Sequence, residues 1–279
     1  LVGGNKIVLV TSGLDRYGQP CEFAIDGYLV QALDLAKHRV IKMNWDYVSI
    51  VAGLPGVGKS SFVRGPAKYC DPTFDHTHIA FTADQFITLT NELPEYSSVI
   101  LDESFESMNS RVTMSKDFQR IVNHLQLIRQ KHLFIFLLLP NFFDLSKGIA
   151  IFRTSHLFVI YGDDSGGRGM FRVFGRNEKR MLFIKGGKFM NYNAVSSNFR
   201  GKFTKGDNII DVETYESEKM QHLKEQDKSL KKKPEKSEFK ELICKLLEMK
   251  AFNVKQLSEL TGKATRTIQD YYQNYRKTW

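Results

Sequence analysis

The chain has 279 residues, 42% of them hydrophobic and 25% charged, which supplies one large or two modest cores and excludes global disorder. Forty Lys and Arg against 31 Asp and Glu leave a net charge of +9, which favours an acidic partner such as nucleic acid without identifying it. Cys21, Cys70 and Cys244 are odd in number and far apart, which argues against a disulfide framework or a cysteine zinc site and fits a reducing compartment.

The most apolar run, Leu133–Pro140, is far shorter than the ~20 residues that cross a bilayer. Leu1–Thr11 lacks the layout of a secretory signal. A cytoplasmic chain without a membrane span is therefore expected. The sequence does not begin with Met, which leaves open an upstream segment in which a targeting signal would be out of sight.

Residues 1–46 read as an extension packed on the core, with an amphipathic helix over 26–37. Trp45 is a candidate flank for an adenine base, with ordinary packing the simpler account. Tyr47–Ala52 is a Val/Ile-rich strand. GLPGVGKS, Gly53–Ser60, follows it directly and matches G-x-x-x-x-G-K-[ST], with a helix expected over 59–69. Glycines let the backbone curl so that successive N–H groups and the helix start face an anion. Gly53, Gly56, Val57, Gly58, Lys59, Ser60 and Ser61 are the candidate nucleotide-binding residues. Lys59 is expected to reach the β/γ-phosphates, and Ser60 to hold magnesium.

A strand at 78–82 leads into a helix at 83–92, and a strand at 98–101 ends in Asp102-Glu103. Adjacent acids at a strand tip suit the second half of an ATPase site. Asp102 is the candidate for supporting Mg²⁺ opposite Ser60, and Glu103 for activating water. The acid pair favours hydrolysis over a nucleotide kinase, which must keep water out. A helix over 114–131 precedes a near-continuous apolar strand, 132–141, of the kind found at the centre of a sheet covered on both faces. It ends at Asn141, a candidate sensor between water and γ-phosphate or, alternatively, a helix cap.

A strand at 157–161 completes at least five apolar strands separated by helices, which reads as an α/β P-loop core. Gly166–Gly169 is a turn. Residues 170–174 and 180–184 read as an antiparallel edge extension, and 192–211 as loop. Arg153, Arg111 and Arg129 are candidates for an arginine acting on a neighbouring subunit's site, with a structural ion pair as the alternative for each. His76 and His78 lack a third ligand, so no zinc site is assigned.

The division is therefore an extension (1–46), a P-loop ATPase domain (47–215), a charged linker (216–240) and a small C-terminal domain (241–279). The linker reads as a solvated helix broken at Pro234. The last 39 residues hold 7 Lys and Arg against 4 Asp and Glu. Three short amphipathic helices there form a helix-turn-helix-like pattern. The last one offers Arg266, Thr267, Gln269, Gln273 and Arg276 for contacts with DNA. A tri-helical protein-binding module fits the same pattern.

GLPGVGKS, VILDE (Val99–Glu103), LIRQKH (Leu127–His132), LFIFLLLPN (Leu133–Asn141) and IAIFRTSHLFVIY (Ile149–Tyr161) together resemble the additional-strand P-loop ATPases of the FtsK–HerA class. Within it they resemble the zonular-occludens-toxin-like ATPases of phages, plasmids and integrated elements. The likeness covers residues 43–187. It implies a P-loop core with extra edge strands, ATP and Mg²⁺ as cofactors, and a homo-oligomeric ring, often hexameric, that moves DNA. It also implies a partner in replication, transfer or packaging. The family's lysine and hydroxyl map onto Lys59 and Ser60, its acids onto Asp102 and Glu103, its polar sensor onto Asn141 and its trans-acting arginine onto Arg153. The sequence-level expectation is a Mg²⁺-dependent ATPase coupling turnover to DNA translocation or remodelling. An AAA+-like initiation or loader ATPase and a nucleotide-dependent protein-binding adaptor are the alternatives.

Overall fold

The computed structural model describes residues 6–102, 116–162, 167–231 and 235–276. The chain divides into two compact units, Leu1–Met220 and Gln221–Trp279. The first is a mixed α/β unit around a mostly parallel sheet, and the second is helical.

The first unit opens with an antiparallel hairpin, β1 (Ile7–Leu14) and β2 (Pro20–Asp26). Its turn is set by Asp15, whose carboxylate accepts from the backbone N–H groups of Tyr17 and Gln19. The residue pattern does not mark this strand, because β1 mostly alternates exposed and half-buried residues and its one buried residue, Ser12, is polar. Asp26 then caps helix α1 (Gly27–Met43) by accepting from Tyr28 and Leu29 N–H. The helix runs past the expected end at 37 because its buried stripe, Leu29, Leu33, Ala36, Val40, continues at helical spacing.

Among the described residues, one seven-stranded sheet follows the order β4-β5-β6-β3-β7-β8-β9. β3 (Tyr47–Ala52) and β6 (Phe134–Leu139) pair in parallel along their whole length and are buried at every position. β5 (Ser98–Leu101) and β4 (Ile79–Ala80) extend the parallel sheet on one side, and β7 (His156–Tyr161) on the other. β6 thus lies between β3, which leads into the Gly53–Ser60 loop, and β5, which ends at Asp102.

Successive strand residues feed two cores, as the period of two requires. Tyr47, Val51, Phe134, Phe136 and Leu138 pack with α1, the hairpin and helix α2 (Lys59–Cys70) on one face. Val48, Ile50, Ile135, Leu137 and Leu139 pack on the other. There they meet helices α3 (Ala83–Glu92), α4 (Lys116–Leu127) and α5 (Arg176–Gly186).

Two expectations are corrected here. Residues 180–184 are not an edge strand but part of α5, since Lys179, Leu182 and Gly186 are its buried residues and repeat at helical spacing. The antiparallel extension is instead β8 (Met170–Phe174) paired with β9 (Phe199–Lys202), inside the stretch expected to be loop. β9 is half polar and only Gly201 is buried. Its strand form comes from the ladder with β8 rather than from its own pattern.

Helix α6 (Val212–Lys231) carries the chain out of the first unit. In the second unit, α7 (Glu235–Glu248), α8 (Val254–Thr261) and α9 (Thr265–Arg276) close on Ile243, Leu257 and Ile268. Asn253 and Gln256 form a capping box at the start of α8, and Gly262, with φ +66°, ends it.

Candidate functional site

The loop after β3 is built by its glycines. Gly53 has φ +159° and packs so tightly on β7 that an added Cβ would run into the carbonyl oxygen of Ile160. Gly56 and Gly58 also have positive φ, +78° and +98°, where a side chain would be strained. Gly58 is the N-cap residue of α2 and offers no side-chain cap. The first-turn N–H groups of α2 therefore have no side-chain acceptor from that residue, which is the arrangement that suits an anion.

Lys59 folds back over this loop and donates to the carbonyls of Gly53 at 2.6 Å and Leu54 at 3.1 Å. Burial holds its pKa below the usual lysine value; Asp102 opposes the shift and the Lys219 charge adds to it. Ser60, on the first turn of α2, donates its hydroxyl to Asp102 Oδ2 at 2.8 Å. Asp102 lies at the tip of β5 with its own N–H bonded to the Ala80 carbonyl. The two sequence motifs, 42 residues apart, therefore meet at one carboxylate oxygen.

That oxygen has two further partners, both on α6. Tyr215 donates its hydroxyl to Asp102 Oδ2, and Lys219 Nζ reaches it at 2.8 Å. Tyr215 and Lys219 are one helical turn apart, so they share a face. Asp211 starts the helix by accepting from the backbone N–H groups of Glu213 and Thr214. Ile209 and Ile210, both buried, seat the preceding turn in the core.

Tyr215 itself is only 4% exposed. Its ring meets Phe81 at 5.7 Å and the guanidinium of Arg64 at 4.8 Å. Burial and the Asp102 charge push its pKa up to about 12, so it is a hydroxyl donor at neutral pH. For Lys219, burial pulls the pKa down but Asp102 and Tyr215 outweigh it, and the net direction is up. Its ammonium is therefore firmly charged.

These groups line a cleft of about 460 Å³ with Gly56, Gly58, Ser61 and the end of β6. Val57 packs into the core beneath. Arg64, buried in the same wall, leaves its Nε without a hydrogen-bond partner. The residues fit a phosphate-bearing ligand with a hydrated divalent cation. The loop has the required glycines, and the hydroxyl and carboxylate that would serve the cation are already adjacent. Among the described residues, no group of three or more His, Cys, Asp or Glu could hold a metal.

Asn141, Arg153, Arg129 and Trp45 are not among the residues that line this cleft. Glu103 and Arg111 lie outside the described residues. The side chain of Asn141 caps the turn Phe142–Asp144 by accepting from Phe143 N–H, and also accepts from the Tyr192 hydroxyl at 3.0 Å. Arg153 is 18% exposed and pairs with Asp46 and the Leu125 carbonyl inside its own chain. Arg129 lies 3.9 Å from the same aspartate. Trp45 precedes β3 and packs near Arg176, at the opposite end of the strand from the loop; six residues of strand separate them, which removes it as an adenine flank. On α9, Arg266, Gln269 and Gln273 are exposed, Thr267 is half-buried, and the side chain of Arg276 lies outside the description.

Tyr215 and Lys219 are the site residues that sequence reading missed. Tyr215 stood at the last position of the expected domain, and Lys219 in what read as a charged linker. The available signal was the buried Ile209-Ile210 pair followed by an aromatic and a cation four residues apart.

Among the described residues, no helix is long and apolar enough to cross a membrane. No protein-family model matches the sequence, and no curated protein does. A solved structure, the N-terminal domain of zonular occludens toxin from Neisseria meningitidis, aligns with 59% of this chain and 97% of its own. The TM-score is 0.37 and the identity 15%, so the likeness is distant and no functional argument rests on it.

Proposed function

We propose that this chain is a Mg²⁺-dependent ATP hydrolase that couples turnover to the movement or remodelling of DNA, in the service of a phage, plasmid or other mobile element. The observation that carries the enzymatic part is the bond from Ser60 to Asp102, which joins the glycine loop to the acid-tipped strand across the interposed strand β6. That interposed strand supports the additional-strand class of P-loop ATPase, and the antiparallel β8–β9 extension favours the FtsK–HerA reading over an AAA+-like loader.

In this reading Lys59 leaves the Gly53 and Leu54 carbonyls to neutralise the β/γ-phosphates, and Ser60 and Asp102 hold the magnesium side. Magnesium, when bound, supplies charge neutralisation on the phosphates. Glu103, next in sequence to Asp102, is assigned the activation of water. The basic C-terminal unit, with Arg266, Gln269 and Gln273 exposed on α9, is assigned to DNA, and assembly into a ring would let one subunit complete the next one's site.

The test is steady-state ATP hydrolysis with Mg²⁺, with and without single- and double-stranded DNA, over a series of protein concentrations. Stimulation by one DNA form, lost in Glu103→Gln, supports the proposal and names the track. Specific activity that rises with concentration supports assembly. Turnover with no DNA response moves the reading to a nucleotide-dependent adaptor, and no turnover at any concentration removes hydrolysis.

A further inference from the structure

Asp102 Oδ2 accepts from three donors, Ser60, Tyr215 and Lys219. One carboxylate oxygen offers about two lone-pair directions, so this oxygen has no capacity left for the water shell of a cation. Oδ1 of the same carboxylate still offers acceptor sites, so the competition a magnesium ion served by Asp102 would meet is one of charge, and of the three donors only Lys219 is a cation.

Ser60 belongs to the first turn of α2 and reaches Asp102 from the loop itself. Tyr215 is enclosed, with Phe81 and Arg64 against its ring. Lys219 is the charged partner. Its side chain is 27% exposed, sits on a flexible four-carbon stem, and carries a positive charge that a divalent cation at the same carboxylate would repel.

We infer that Lys219 is a resident counter-cation for Asp102, which metal-bound nucleotide displaces, so that the pairing of α6 with the site reports whether the site is filled. The inference rests on the nucleotide-binding reading above and adds to it a positioning residue and a direction of control. Lys219 neutralises a carboxylate that is only 6% exposed and would otherwise be buried charged with two neutral donors, which is costly. On filling, the divalent cation takes over that role and Lys219 is released. The helix then keeps its Tyr215 anchor but loses its charged one. Because α6 is the segment through which the chain leaves the first unit, the change falls on the connection to the C-terminal unit.

The experiment is a Mg²⁺ titration of fluorescent ATP-analogue binding to the full chain, in wild type, Lys219→Met and Lys219→Arg. Methionine keeps the length and removes the charge. The Mg²⁺ concentration for half-maximal binding is expected to fall about five- to tenfold in Lys219→Met, in line with the loss of one partly buried competing ion pair, and to stay near wild type in Lys219→Arg. Hydrogen exchange in the 216–225 segment of wild type is expected to rise on adding Mg²⁺ and nucleotide, and to be raised already in Lys219→Met without them. An unchanged Mg²⁺ requirement in Lys219→Met overturns the inference while leaving nucleotide binding intact. A raised requirement also overturns it, by making Lys219 a ligand of the phosphates. If wild type binds no nucleotide while Lys59→Ala behaves identically, the nucleotide-binding reading itself has failed.

Discussion

The hydroxyl of Tyr215 donates to the carboxylate of Asp102, and this bond ties the start of α6 to the tip of β5. The ring is held by Phe81 and Arg64 independently of the bond, so the hydroxyl can be removed without emptying the space. Tyr215→Phe is expected to cost about 1.5–3 kcal/mol, the range for a hydrogen bond to a charged group. Thermal or urea unfolding measures it. An unchanged midpoint would mean that Ser60 and Lys219 already satisfy the carboxylate.

Gly53 is the least replaceable residue of the loop. Its φ of +159° and the Ile160 carbonyl facing its Cα leave no room for a methyl group. Gly53→Ala is expected to lose about 1–3 kcal/mol from backbone strain alone and to push the loop off β7. Gly56→Ala meets nothing within 4 Å and is strained only through its φ of +78°. Comparing the two variants by unfolding separates crowding from strain, with Gly53→Ala expected to be the less stable.

Arg153 and Asp46 make a part-buried ion pair that also fixes the Leu125 carbonyl at the end of α4. Removing the guanidinium leaves Asp46, itself little exposed, with only the more distant Arg129. Arg153→Ala is therefore expected to be destabilised by about 2–4 kcal/mol, since breaking one side of a buried pair strands the other charge. An arginine that reaches a neighbouring subunit must first leave this pair. Mixing Arg153→Ala with Lys59→Ala subunits tests that role: recovery of activity in the mixture identifies a trans-acting arginine, and no recovery together with a lowered unfolding midpoint identifies a structural one.

The parallel core was legible because its two central strands are almost wholly apolar. Tyr47–Ala52 and Phe134–Leu139 can bury both faces only in the middle of a covered sheet. The Ser60–Asp102 meeting was likewise legible from two motifs at a suitable spacing. What could not be read was structure made by partners. β9 becomes a strand by pairing with β8, and the RMLFI run became helix because Lys179 and Leu182 turn inward one helical turn apart. Lys219 was invisible for the same reason. In sequence it is one lysine among many in a charged segment, and only the packing of Tyr215 carries it to Asp102.

Lys179 is fully buried on α5, donates to the carbonyl and hydroxyl of Thr154 and, among the described residues, has no carboxylate partner. Burial, with Arg176 adding to it, brings its pKa down from 10.5 to about 7. Burial and then the Lys179, Arg39 and Arg176 charges bring the neighbouring His156 down from 6.5 to about 4. Both groups hold fewer protons folded than unfolded within those windows. Stability therefore rises with pH from about 4 to 6.5 through His156 and from about 7 to 10.5 through Lys179. The slope of each is at most about 1.4 kcal/mol per pH unit. Urea midpoints measured across pH check this: Lys179→Met is expected to flatten the upper window, and His156→Asn the lower.

The C-terminal unit offers the most direct test of the DNA assignment. Ile268 is completely buried against Ile243 and Leu257, so the exposed Arg266, Gln269 and Gln273 can be changed without touching the small core. Arg266→Ala in the full chain is expected to weaken DNA binding by about 1–3 kcal/mol, and the salt dependence of affinity should fall by about one unit of slope if its contact is to phosphate. Gln269→Ala or Gln273→Ala is expected to leave the salt slope unchanged and to narrow the difference between preferred and random DNA, because a neutral amide reads base edges rather than charge. Ile268→Ala, which opens a cavity where three helices meet, is expected to abolish binding together with the fold of this unit. If Arg266→Ala and Gln273→Ala both bind DNA as wild type does, α9 is not the reading element. The basic tail is then assigned to a protein partner.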